Sequence, residues 1–110
     1  MSQLTSHILD TSLGRPAAGV HVELFAKTDS GWNFLASAIT NADGRITSFD
    51  TASLPNGIYR LKFLTSKYFE QQGVASFYPF VEVVFHIRDA AHYHVPLLLN
   101  PFGYSTYRGS

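Results

Sequence analysis

Turn signals recur about every ten residues along this chain, and apolar residues alternate between them; that rhythm constrains the fold more than any other feature. Val20, Val22, Leu24 and Ala26 alternate with His21, Glu23 and Phe25, so one face of a strand is buried. Asp29-Ser30-Gly31 closes that strand as a hairpin-like turn, and residues 32–39 read as the next strand. Gly14-Arg15-Pro16, Asn41-Ala42-Asp43-Gly44 and Leu54-Pro55-Asn56-Gly57 are further turns, with Gly57 placed for a positive φ. Tyr59, Leu61 and Phe63 share one face against Arg60 and Lys62. Val81, Val83, Phe85 and Ile87 alternate again, while residues 4–9, 92–99 and 104–107 complete the strands. Residues 65–72 break the period: Ser66 stands as the cap of a short helix that Gly73 stops. The expected architecture is all-β, a two-sheet sandwich of about eight strands with one short helix.

Size fits that pattern. At 110 residues the chain is a single domain, residues 1–110, and a hydrophobic fraction of 45% suffices for a core. There is no cysteine, which excludes disulfides, zinc-thiolate sites and a thiol nucleophile. The formal net charge is +0 and the 8 Lys and Arg residues are scattered, so nucleic acid is not an expected partner. No apolar run reaches membrane-spanning length, so no membrane is expected either. Met1-Ser2-Gln3-Leu4-Thr5-Ser6-His7 lacks the basic start and apolar core of a signal peptide, and the chain as given reads as cytoplasmic.

The chemistry, if any, rests on histidines. His92 and His94 lie two apart on a strand and therefore point to the same face, where two imidazoles can bind a metal or move protons. A metal would need a third ligand; His7 and His86 are available, but no spacing rule picks either, and no metal site is expected. His7 lies on the first strand, on the face opposite Ser6 and Ile8. His21 and His86 point away from their apolar neighbours and read as surface residues.

Arg45 follows a turn glycine. Most such arginines are solvated, but one at the mouth of a pocket can anchor a planar, carbonyl-rich ligand through its fork of donors. Ser105, Thr106 and Ser110 have no acid and base at a spacing that marks an activated nucleophile. The end of the chain is aromatic and strand-like up to Tyr107, which implies that the last residues are held down.

Five stretches carry a resemblance to a known family. They are Leu4-Thr5-Ser6-His7-Ile8-Leu9-Asp10-Thr11, Gly14-Arg15-Pro16-Ala17, Thr40-Asn41-Ala42-Asp43-Gly44-Arg45, His92-Tyr93-His94-Val95-Pro96-Leu97-Leu98-Leu99 and Tyr104-Ser105-Thr106-Tyr107-Arg108-Gly109-Ser110. Together they closely resemble the transthyretin-related hydrolases that act on 5-hydroxyisourate, from Leu4 to Ser110. The first two stretches and the Asp43-Gly44 turn belong to prealbumin-like sandwiches in general. His7, Arg45, His94 and the final tetrapeptide are the specific part, since transthyretin, the hormone carrier of the same fold, holds other residues there and lacks that ending.

The resemblance implies a transthyretin-like sandwich of two four-stranded sheets, assembled as a homotetramer with active sites in a channel between dimers. It implies hydrolysis of 5-hydroxyisourate, a product of urate oxidation, with no metal or organic cofactor. Residue by residue, it implies that His7 and His94 activate and orient water and that Arg45 polarises and anchors the substrate. His92, Tyr107, Arg108 and Gly109 would line the substrate pocket, and Ser110 would position substrate or water through its hydroxyl or carboxylate. Both His7 and His94 stand as candidates for the base. Two other readings share the fold: a non-enzymatic carrier of small aromatic ligands, and a prealbumin-like interaction module.

Overall fold

The computed structural model describes residues 3–110; Met1 and Ser2, on which part of the amino-terminal reading rests, lie outside the described residues. Nine strands and one helix follow one another as β1 (Leu4–Asp10), β2 (Arg15–Pro16), β3 (His21–Thr28), β4 (Gly31–Ile39), β5 (Arg45–Ile46), β6 (Gly57–Phe63), α1 (Thr65–Glu70), β7 (Val81–Ile87), β8 (Tyr93–Asn100) and β9 (Gly103–Thr106). They form two sheets. One runs β4-β3-β6-β7; the other runs β2-β1-β8-β9, with β5 also paired to β1. The two-residue strands β2 and β5 pair with successive parts of β1, at Leu9–Asp10 and at Ser6–His7. They therefore share one edge, and the five-stranded sheet is only four strands wide.

The two-sheet sandwich expected from the alternation is thus observed. Val20 just before β3, Val22 and Leu24 on it, and Tyr59, Leu61 and Phe63 on β6 are buried in one core with Ile8, Leu97 and Leu99 of the opposite sheet. Each such side chain contributes about 2 kcal/mol by leaving water. Ala26, the last β3 residue paired with β6, packs only partly against this core.

Among the described residues, every strand pairing is antiparallel but one. β1 and β8 run parallel at the centre of their sheet, from Leu4 opposite Tyr93 to Asp10 opposite Leu99. No short turn can make such a pair, so its partners come from opposite ends of the described chain. Asp10 fixes the end of β1. Burial alone would raise its pKa, but hydrogen bonds from Ser12, Tyr68 and Leu13 hold its carboxyl below the usual range. Burial, together with that Asp10 contact, pushes the Tyr68 hydroxyl up to about 12. This bond at 2.7 Å ties α1 to β1.

Two local expectations are corrected. Gly57 does not take a positive φ; it already lies in β6, paired with Ile87, and the positive-φ residue nearest before it is Asp50. Ser66 does not cap α1. It sits inside the helix, and its hydroxyl donates to the Pro79 carbonyl at 2.7 Å, while Leu64 holds the cap position without a side-chain bond. Gly73, at φ +69°, does follow the helix end as expected. No helix among the described residues is long and apolar enough to cross a membrane.

Candidate active site

Alternation along β1 sends Leu4, Ser6, Ile8 and Asp10 inward and leaves Thr5, His7 and Leu9 on the outer face of the five-stranded sheet. The neighbouring strands complete that face. β5 places Arg45 opposite His7 across an antiparallel pair. β8 places His94 opposite Thr5 and Pro96 opposite His7. Residues separated by most of the chain are brought together by register alone.

Arg45, His92, His94, Ser110, Thr5 and Thr47 line a cavity of about 170 Å³ on this face. His7 flanks it beside Arg45. His92, just before β8, and His94 on it are stacked, with ring centroids 6.3 Å apart and planes at 24°. Between them sits the Thr5 hydroxyl, 2.8 Å from His92 Nε2 and 2.8 Å from His94 Nδ1.

The end of the chain is pinned to this site. The Gly109 N–H donates to the His94 carbonyl at 2.8 Å, forming an isolated antiparallel bridge beyond β9. A Cβ on Gly109 would lie 2.5 Å from His94 Cδ2 and 3.1 Å from Pro96 Cγ, so only glycine lets the tail lie against that ring. The bridge brings Ser110 to the cavity. Tyr107 and Arg108 are placed elsewhere. They line a larger cavity of about 470 Å³ with His86, Arg88, Asp89 and Tyr93, and the Arg108 guanidinium stacks 4.3 Å above the Tyr93 ring. That cavity and the first have His94 in common.

Both candidate bases are kept neutral. Burial, then the charge of Arg45, lowers the His7 pKa, against an opposite push from the Asp43 backbone and carboxylate. Burial also lowers His94, followed by Arg45, His92 and His7. A neutral imidazole has a lone pair to accept a proton from water. Because the folded values lie below the ordinary 6.5, this contribution to stability is complete above 6.5 and is lost as pH falls through the folded values.

His21 and His86 are exposed, as their alternation implied. Among the described residues, no three His, Asp or Glu side chains are grouped so as to hold a metal ion. Thr5 and Thr47 escaped the sequence reading as site residues. The signal for Thr5 was available, since it lies two residues before His7 on the same strand face.

A prealbumin-type sandwich with a polar, two-histidine cavity on one sheet face is what the fold and site define. The profile of the HIUase/Transthyretin family matches residues 4–109. A "Probable 5-hydroxyisourate hydrolase" of Schizosaccharomyces pombe is 51% identical, over 97% of this chain and 90% of its own length. The solved structure of 5-hydroxyisourate hydrolase from Klebsiella pneumoniae superposes with a TM-score of 0.89 at 44% identity, covering 99% of this chain and 100% of that one. Transthyretin from Sparus aurata superposes at 0.92 with 36% identity, covering 99% and 97%. The chain belongs to the HIUase/Transthyretin family. The two TM-scores are so close that the backbone does not separate the hydrolase from transthyretin; side chains must.

Proposed function

We propose that this protein is a hydrolase that opens the six-membered ring of 5-hydroxyisourate, yielding 2-oxo-4-hydroxy-4-carboxy-5-ureidoimidazoline in urate degradation. The observation that carries this is the gathering of Arg45, His94 and Ser110 around one cavity, with His7 alongside, in a chain about half identical to named 5-hydroxyisourate hydrolases. His94 or His7 takes a proton from the attacking water, which a neutral imidazole does near neutral pH. Arg45 holds the planar substrate and stabilises charge on the carbonyl oxygen as water adds. Ser110 and the Gly109 backbone close one side of the cavity, and His92 supports His94. No metal or organic cofactor enters these steps. Residues 1–110 act as one hydrolase domain.

The working form is a homotetramer, a dimer of dimers, with the cavity facing a channel between dimers. Two features support this. A cavity of 170 Å³ falls short of the roughly 300 Å³ at which small-molecule sites begin, so a second copy is needed to enclose the substrate. Phe77 and Phe102 are each more than 70% exposed, which a neighbouring chain would cover. The carrier reading shares this channel, but a cavity edged by Arg45, His92 and His94 suits a polar heterocycle that must react.

The direct test generates 5-hydroxyisourate with urate oxidase and follows its decay with and without the protein. Acceleration over the spontaneous reaction is expected, and an unchanged decay would overturn the assignment. Light scattering should give the mass of four chains; an active monomer would remove the channel.

A pH profile follows from the two lowered histidines. The value of kcat/KM is expected to be level near neutral pH and to fall on the acid side, with its inflection below 6.5. An inflection above 6.5 would exclude a base held neutral by burial and Arg45.

A further inference from the structure

The Thr5 hydroxyl makes two short contacts with two ring nitrogens and carries only one hydrogen. Each contact at 2.8 Å requires a hydrogen between the heavy atoms. If His92 Nε2 and His94 Nδ1 were both bare, Thr5 would satisfy one and leave its lone pairs against the other. If both carried hydrogens, Thr5 would accept from both, and its own hydrogen would have no acceptor shown among the described residues. One arrangement type satisfies all three groups: one facing nitrogen protonated and donating to Thr5, the other bare and accepting from it. The two rings cannot then choose tautomers independently.

We propose that Thr5 is the positioning residue that couples His92 and His94 into one proton-sharing unit and sets which nitrogen of His94 is free for chemistry. The chain of bonds runs from His94 Nδ1–H to Thr5 Oγ1, and from Thr5 Oγ1–H to His92 Nε2. His94 Nε2 is then bare at the tip of its ring, where a base must be bare. The unit also gives an incoming proton a second place to reside. When His94 Nε2 takes a proton from water, its Nδ1 proton can pass to Oγ1 while the Oγ1 proton passes to His92 Nε2. One N–H and one O–H bond break, one O–H and one N–H bond form, and the positive charge moves to His92 with no change in the total. Gly109 lies against the Cδ2 edge of His94, so the ring is held with Nδ1 towards Thr5. Thr5 needs no contact with substrate for any of this, and its backbone stays paired with β8 whatever its side chain.

The catalytic part of the inference rests on the hydrolase reading; the tautomer pairing does not. It is tested on ¹⁵N-histidine-labelled protein at a pH where both rings are neutral. In the unaltered protein the spectra should place the hydrogen of His94 on Nδ1 and leave His92 Nε2 bare. Two bare or two protonated facing nitrogens would overturn the proposal, whether or not the protein turns over 5-hydroxyisourate. Thr5→Val keeps the β-branched shape and removes the hydroxyl. It should scramble the tautomers and lower kcat by about 10- to 100-fold, the usual effect of removing a group that orients a functional imidazole, with KM little changed. Thr5→Ser should restore both. A Thr5→Val protein with unaltered kcat and spectra would overturn the role. Should that variant not fold, the unaltered protein's spectrum decides alone. Failure of the unaltered protein to accelerate 5-hydroxyisourate decay, with paired tautomers present, would count against the hydrolase reading instead.

Discussion

Replacing His94 with asparagine is expected to lower kcat/KM for 5-hydroxyisourate by about 10²- to 10⁴-fold, the range spanned by positioned proton-transfer groups. Asparagine is the informative change because its amide occupies the place of the imidazole Nδ1. It can keep the 2.8 Å contact to Thr5 and cannot supply anything at the position of Nε2. The strand is undisturbed, since the backbone of His94 pairs with Thr5 and Gly109 through groups the substitution does not touch. Stability should move by no more than about 1 kcal/mol, as for most changes away from a core. Steady-state kinetics beside thermal unfolding checks both parts. A folded His94→Asn protein with most of its activity would transfer the base role to His7.

Removal of residues 107–110 should cost about 10²- to 10³-fold in kcat, comparable to losing a group that stabilises developing charge. The tail contributes three things, none of them to the core: the Gly109 bridge to His94, the Arg108 stack on Tyr93 and Ser110 in the cavity. The strand before it remains anchored, with the Thr106 hydroxyl donating to the Pro96 carbonyl at 2.6 Å. The shortened protein is therefore expected to fold and to keep its oligomeric state by light scattering. Full activity in it would remove Ser110 and Gly109 from the site. Loss of the folded state would instead mean that the tail is structural.

The strands were legible where burial is one-sided. Val20, Val22 and Leu24, or Tyr59, Leu61 and Phe63, alternate because one face meets the opposite sheet, and a period of two is a local property. Turn chemistry was less reliable. Gly57 looked like a positive-φ glycine, yet pairing with Ile87 drew it into β6, and the Pro79 carbonyl took the Ser66 hydroxyl that a cap would have used. Tertiary partners outweighed local preference in both cases. The site was legible only in part. His7, Arg45, His94 and the ending stood out through resemblance, but nothing local to β1 says that β8 lies parallel beside it in this register. Alternation puts Thr5 on the His7 face, but its hydroxyl acquires its role only when the register sets it between two rings. The two halves of the tail, facing different cavities, were likewise invisible, because one glycine against an imidazole decides their course.

The central parallel pair has a consequence for how the protein comes into being. During synthesis β1 is made before the other strands of its sheet, and the strand that covers its inner edge follows more than 80 residues later. Until then β1 has only the two-residue strands β2 and β5 for company, and the sheet that carries the site does not exist. The other sheet, built from neighbours joined in sequence, can form earlier. The face that gathers Arg45 and His94 therefore cannot assemble until β8 has been made. Arrest of translation before β8 would leave an open strand edge rather than a weakened enzyme, a species for chaperones to shield.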